Sequence, residues 1–309
     1  MKPLVLYHAN CLDGFAAAYA AWTKLGDNAD YVPCQYGENS FLRALEQQPI
    51  EGRQVYVLDF SFSGEDMLFL YDNARTVTWL DHHKTAFESW LGSMPDSGVW
   101  SGGGENFHAT LNNHKSGAYL AWEYFHPGES VPKFIRHVDD YDRWQFLMPG
   151  TKELNKAVWS YTPWTFQDFL KYEGNTEQLI VEGAAILRAH NQNVQSVLHG
   201  GTRLCRIMHI KKRLPDSAVT QETSSIVDAT GLACNCPSHL TSDVGHELAN
   251  RSGTFGLCWK QDKNGKIICG LRSNGEYDVS AIAKALGGGG HKNAAGFEID
   301  LATLQGWMI

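Results

Sequence analysis

The chain has 309 residues, 43% of them hydrophobic, and a net charge of −8. That length suggests two domains, or one large and one small. The acidic balance excludes a protein that coats duplex nucleic acid through a broad basic surface, but not one that binds a small anionic substrate beside divalent cations.

In chain order, "PLVLYHA" reads as a strand and "DGFAAAYAAWTKLG" as a helix ending at Gly26. "YVPCQY" is a strand, and "SFLRALEQQ" a short helix with Ser40 as N-cap. "RQVYVLDF", the helix "SGEDMLFLYDNA" and "TVTWLDHH" continue the alternation. Strands apolar on both faces and alternating with helices indicate an α/β fold with a parallel sheet. Residues 88–112, rich in Gly, Ser, Asn and Asp, read as a long loop. "KSGAYLAWEYFHP" and "VPKFIRHVDDYDRW" are helical, and residues 164–198 hold one short and one long helix.

After Gly200-Gly201 the elements become shorter. "TFGLCWKQDKNGKIICGLRS" is a hairpin about Asn264-Gly265. The expected organisation is a parallel-sheet domain over residues 1–190, a helical linker over 176–199, and a smaller α/β domain over 200–309. No apolar run approaches a membrane span, and Met1-Lys2-Pro3 leads into a strand rather than a signal peptide. Seven scattered cysteines fit a reducing, cytoplasmic setting, with Cys234 and Cys236 as loop or core thiols.

Ligands of open parallel sheets bind beyond the carboxyl ends of the strands. Three strands here end in side chains that bind metal: His8, then Asp59, then Asp81-His82-His83. Asp13 opens the helix after the first strand. Carboxylates and neutral imidazoles together suit Mn²⁺ and, less specifically, Zn²⁺ or Co²⁺. In "VDDYDRW", Asp139, Asp140 and Asp142 would repel one another without a compensating cation. Near the end of the chain, "GGGGHKNAAGF" offers Gly288, Gly289 and Gly290, whose N–H groups can approach an anion, followed by His291 and Lys292. Arg272, in "GLRS", is placed to clamp a phosphate.

"HANCLDG", "VYVLDF", "LDHH", "VDDYDRW" and "GGGGHKNAAGF", in this order, resemble the DHH phosphoesterases that carry a DHH-associated C-terminal domain. The resemblance covers almost the whole chain. It implies a catalytic domain with two divalent ions, expected as Mn²⁺, and a second domain that binds substrate. It implies His8 as ligand of one ion, Asp13 of the other, Asp59 as the bridge, and His82 as ligand of the second. Asp81 would orient the centre and His83 would face the substrate phosphate. Asp140 is the best match to the last ligand, with Asp142 second as an orienting group. The family commonly has two acids in its first motif, and Cys11 stands in place of the first. Either its thiolate ligates, or fewer protein ligands hold that ion, or Asn10 helps through its carbonyl. A sulfur ligand would shift preference towards softer ions.

The expected activity is hydrolysis of very short single-stranded oligonucleotides, or of the linear dinucleotides of cyclic-dinucleotide turnover (pGpG or pApA), to mononucleotides. This is an oligoribonuclease-type exonuclease reaction. The alternatives are a phosphatase of 3′-phosphorylated or bisphosphate mononucleotides and a non-catalytic nucleotide sensor. Duplex nucleic acid and membranes are not expected partners; a homodimer is compatible with the sequence.

Overall fold

In the computed structural model, which describes residues 1–36, 40–210, 226–275 and 277–309, the chain divides into two compact units, Met1–Arg188 and Ala189–Ile309. The first begins with β1 (Leu4–His8), α1 (Leu12–Leu25), β2 (Asp30–Cys34), α2 (Ser40–Gln47), β3 (Gln54–Leu58), α3 (Gly64–Asn73) and β4 (Thr76–Asp81). This is the predicted alternation. The Ser40 side chain, expected to cap α2, lies outside the described residues.

Next come α4 (Lys84–Leu91), β5 (Val99–Gly103), β6 (Phe107–Asn112), α5 (Gly117–Phe125), α6 (Lys133–Asp142), α7 (Thr151–Ser160), α8 (Phe166–Gly174) and α9 (Thr176–Gly201). The expected loop at 88–112 is thus corrected: it contains an antiparallel hairpin. Its glycines mimic a loop in composition but serve a close approach, because a Cβ on Gly103 would lie 1.8 Å from the Phe107 carbonyl oxygen. In β6, Phe107, Ala109 and Leu111 are buried at alternate positions, the pattern of a strand.

The sheet order is β2-β1-β3-β4-β6-β5, parallel except for the β5–β6 hairpin. Alternate strand residues feed two cores. Val5, Tyr7, Tyr56 and Leu58 pack with α1, α5 and α6, whereas Leu4, Leu6, Val55 and Val57 pack with residues of α2, α3 and α4. The central strands β1, β3 and β4 are mostly apolar because they have a helical layer on both faces. The order reverses at β1, which has β2 on one side and β3 on the other. The crevice at the β1/β3 carboxyl ends is therefore the switch point where such sheets bind ligands.

The second unit, which starts within α9, holds β7 (Arg203–Ile210), β8 (Ile226–Asn235), α10 (Thr241–Ser252), β9 (Phe255–Gln261), β10 (Ile267–Ser273), α11 (Val279–Ala285), β11 (Gly289–His291), β12 (Ala294–Ile299) and α12 (Leu301–Trp307). Its sheet runs β11-β12-β10-β9-β8-β7, antiparallel except between β8 and β9. The predicted hairpin is β9–β10. The long helix α9 contributes Leu179 to the first unit's core and Val194 and Leu198 to the second's. Cys234 and Cys236 are buried free thiols. No helix among the described residues is long and apolar enough to cross a membrane.

Candidate metal centre

The parallel order sets the ends of β1, β3 and β4 side by side, so His8, Asp59 and the Asp81-His82-His83 run share one edge. His82 is the hub. Its Nε2 lies 3.1 Å from Asp59 Oδ1, 3.5 Å from Asp13 Oδ2 and 3.5 Å from Asp142 Oδ2. Asp59 Oδ2 lies 3.4 Å from His8 Nδ1. Asp59 thus stands between two imidazoles, the position expected of a bridging carboxylate. Cys11 also joins the cluster, its sulfur within 4.8 Å of ligand atoms on His8 and Asp59.

Asp59 adopts φ 53°, the left-handed region, at a cost of roughly 1–2 kcal/mol. Its N–H donates to the Leu80 carbonyl at 2.9 Å, so the backbone turns while still tied to β4. Gly117, at the start of α5, presses against it: a Cβ there would lie 2.4 Å from the Asp59 Cβ. The N–H groups of Gly117 and Ala118 donate to the two Asp13 oxygens at 2.7 and 2.9 Å, so a helix N-terminus positions this acid. The sequence reading assigned Gly117 no role. The available signal was a Ser-Gly-Ala start, with Ser116 capping the helix by accepting from Tyr119 N.

Whether these residues suit a metal can be judged from their unmet bonds. Both Asp59 oxygens, Asp142 Oδ2, Asp81 Oδ2 and His8 Nδ1 are buried without a partner in hydrogen-bond geometry. Such groups are costly unless paired or bound to a cation. One imidazole N–H cannot satisfy three carboxylates, whereas a divalent ion can. The oxygen and imidazole donors suit Mn²⁺, Zn²⁺ or Co²⁺, and the residues fit the expected group.

The charges agree. Burial and the neighbouring Asp59 and Asp142 push Asp13 well above the ordinary carboxylate range. Burial would also raise Asp59, but the flanking His8 and His82 hold it well below that range. Burial works against charge on His82, yet Asp59, Asp142 and Asp13 push it up to about 10. Burial, reinforced by Asp59, Asp142 and Asp13, raises the Cys11 thiol well above its usual value. Its place suits ligation, but its surroundings oppose loss of the proton.

His83 stands at the margin of the same cluster, its Nδ1 3.9 Å from Asp59 Oδ1, and pairs most closely with Asp81. Its Nδ1 lies 2.7 Å from Asp81 Oδ1, which also accepts the backbone N–H groups of His82 and His83 at 2.7 and 3.1 Å. Asp81 thus sets the orientation of His83.

Among the acids of α6, Asp142 rather than Asp140, the better match in sequence, lies beside the cluster. Asp140 is committed to the following loop: it accepts from Leu147 N at 2.8 Å, Met148 N at 3.1 Å and Thr151 Oγ1 at 2.6 Å. That loop contains Trp144 and Phe146 at φ 56° and 53°, conformations that persist only when well anchored. Asp139 is engaged by Ser116 N at 2.7 Å. Asp142 faces the cluster. Asn10, considered as a helper of the first ion, follows His8 by two residues at φ 54°.

In the second unit, Arg272 and His291 both pair with Ala294, from opposite sides. They occupy one row of the sheet, two strands apart, or roughly 10 Å. Arg272 donates to the Leu271 carbonyl at 2.8 Å and to Ser242 Oγ at 3.1 Å. The glycine run forms β11 rather than an open loop. A Cβ on Gly288 would meet the Gly296 carbonyl oxygen at 2.0 Å, and Gly290, at φ 140°, would place one 2.4 Å from the Ala294 oxygen. Close hairpin packing thus accounts for these two glycines independently of any anion.

Residues 244–305, from α10 into α12, match the DHHA1 domain. The second unit therefore carries a DHHA1 domain, the module expected beside a DHH domain. The chain is 32% identical over 308 residues to an uncharacterized protein of Acanthamoeba polyphaga mimivirus, an alignment covering 95% of this chain and 66% of that protein. The chain therefore spans just under two thirds of that relative's length. A solved structure, the pGpG-specific phosphodiesterase PggH from Vibrio cholerae, aligns with a TM-score of 0.41 and 10% identity, covering 97% of this chain and 94% of that one. At that score the fold reading rests on the strands and helices themselves.

Proposed function

We propose that the chain is a metal-dependent phosphodiesterase that hydrolyses very short oligonucleotides or linear dinucleotides to mononucleotides. The observation that carries this reading is the convergence of Asp59, Asp142, Asp13, His8 and His82 at the switch point, with buried oxygens that lack hydrogen-bond partners. His8 and Cys11 would serve one ion, Asp13, His82 and Asp142 the other, and Asp59 both. Two divalent ions, expected as Mn²⁺, would supply nucleophile activation and charge neutralisation on the phosphoryl group when bound.

The chain's own residues would do the rest. Asp81 fixes His83 through Nδ1, so a proton passed to the leaving oxygen would come from Nε2. In the second unit, Arg272, His291 and Lys292, with the backbone of Gly288, Gly289 and Gly290, would hold the terminal phosphate. Substrate length is the finer part of the reading. It rests on the resemblance to compact DHH proteins and on the acidic net charge of −8, which disfavours long duplexes.

The test is turnover of 5′-phosphorylated di- to decanucleotides, with bisphosphate mononucleotides alongside, before and after chelation and with Mn²⁺ restored. Mononucleotide release that falls with length, stops on chelation and returns with Mn²⁺ is expected. Turnover indifferent to chelation would overturn the metal reading. Preference for the bisphosphates would favour a phosphatase.

A further inference from the structure

On the β2 side of β1 lies an open cleft of about 680 Å³ within the first unit. Trp159, Trp164, Phe15 and Tyr7 supply its aromatic surface, while Asn10, Gln35 and Thr162 supply polar edges. No charged side chain lines it among the described residues. The volume falls within the roughly 300–1,000 Å³ of small-molecule sites.

The aromatic surface is ordered from the inside outward. Tyr7 meets Phe15 edge-on at 6.1 Å between ring centroids, Phe15 meets Trp164 at 5.6 Å, and Trp164 meets Trp159 at 4.6 Å. The Trp164 indole N–H donates to the Val158 carbonyl at 2.8 Å, which locks that ring. Trp159, at the end of α7, remains 40% exposed. A large aromatic residue resting on a fixed ring and open to solvent is a stacking platform.

The cleft adjoins the metal cluster through the backbone. Ala9 and Asn10 of its lining directly follow His8, and Cys34 pairs with His8 across the β1–β2 ladder. Asn10 holds its left-handed conformation between the two sites. Aromatic faces, amide and hydroxyl edges and no charge match a planar, neutral heterocycle better than a phosphate.

We propose that this cleft binds one base of the substrate nucleotide, stacked on Trp159, which Trp164 supports edge-on, while the scissile phosphate lies at the strand-end cluster. The substrate's identity rests on the phosphodiesterase reading; the base site itself is testable without catalysis.

The full chain is titrated calorimetrically with guanosine and adenosine 5′-monophosphate, with ribose 5-phosphate as the control lacking a base. At least tenfold tighter binding of the nucleotides is expected. Trp159→Ala should abolish that preference, and Trp159→Phe should retain most of it. In turnover, Trp159→Ala should raise KM for a 5′-phosphorylated dinucleotide roughly five- to a hundredfold, with kcat little changed. Gln35→Glu, which puts a charge in the cleft, serves as an independent variant should Trp159→Ala fold poorly. It should weaken nucleotide binding but not binding of ribose 5-phosphate.

A base preference that persists in both Trp159→Ala and Gln35→Glu would overturn the proposal, even if the protein hydrolyses dinucleotides. A preference that is present and lost in these variants would support the cleft, even if no oligonucleotide is hydrolysed and the phosphodiesterase reading falls.

Discussion

At the edge of the first sheet, Asp59 keeps two buried oxygens without hydrogen-bond partners, whereas in the second unit Arg272 donates to the Leu271 carbonyl and the Ser242 hydroxyl. The same contrast recurs within one helix turn. Asp140 is used up by two backbone N–H groups and a hydroxyl, while the buried Asp142 Oδ2 has none. Residues that look alike in sequence separate by whether the fold already employs them. A buried polar group that the fold leaves unsatisfied carries a cost which a bound cation can remove.

The sharpest way to break this comparison is to remove the bridge. Asp59→Ala should lower kcat/KM by roughly a thousandfold or more, since metal assistance is worth several kcal/mol. Mn²⁺ stoichiometry, measured by calorimetry, should fall in the same variant. Full activity in a folded Asp59→Ala protein would sink the two-ion reading, because among the described residues no other carboxylate stands between His8 and His82.

Asp142 and Asp140 test the contrast at its closest spacing. Asp142→Asn should reduce turnover by about a hundredfold, in the range of one lost ligand or its support. Its melting temperature without metal should hold or rise, because one of three crowded acids is gone. Asp140→Ala should do the reverse to stability, leaving two N–H groups and a hydroxyl unpaired at about 1–3 kcal/mol each. Its unfolding midpoint in denaturant should drop clearly. If Asp140→Ala proved the stable variant that loses turnover and Asp142→Asn the unstable one that keeps it, the assignment would be the wrong way round.

How much of this was readable in advance depended on the range of the interactions. The parallel sheet was legible because strands covered on both faces are mostly apolar, and so was the cluster, because the acids and histidines end those strands. The β5–β6 hairpin was not, since the glycine run around Gly103 has the composition of a loop while its role is contact with the Phe107 carbonyl. The choice between Asp140 and Asp142 was hidden as well. It is made by backbone donors at Leu147 and Met148, and no side-chain pattern announces backbone donors. Gly117 escaped notice because its partner, Asp59, lies far away in the chain and meets it only in the folded unit.

The second unit's share is expected to be smaller and of a different kind. Arg272→Ala and His291→Ala should chiefly raise KM, by roughly ten- to a hundredfold, if each makes one charge-assisted contact worth about 1.5–3 kcal/mol. Mn²⁺ binding should be unchanged. The penalty should be larger for a dinucleotide with a 5′-phosphate than for the same compound without it. Equal penalties on both would show that this row of the sheet does not read the terminal phosphate.

Cys11 carries the smallest expected effect and discriminates most finely within the first unit. Its sulfur shares a cluster with His8 and Asp59, yet burial and three nearby carboxylates keep the thiol protonated in the metal-free protein. Ligation would require a cation soft enough to displace that proton, whereas an oxygen donor at the same place would not. Cys11→Asp should therefore move the preferred ion towards Mn²⁺, with activity in Mn²⁺ changed by less than about tenfold, one ligand-scale effect at most. Competition between Mn²⁺ and Zn²⁺, followed by calorimetry and by turnover, reads the shift. Thiol-modifying reagents should also react more slowly once the ion is bound, since a ligating sulfur is then shielded. An identical metal profile in wild type, Cys11→Asp and Cys11→Ala would make Cys11 a packing residue at the start of α1, and the ion beside His8 would then be held by His8 and Asp59 without sulfur.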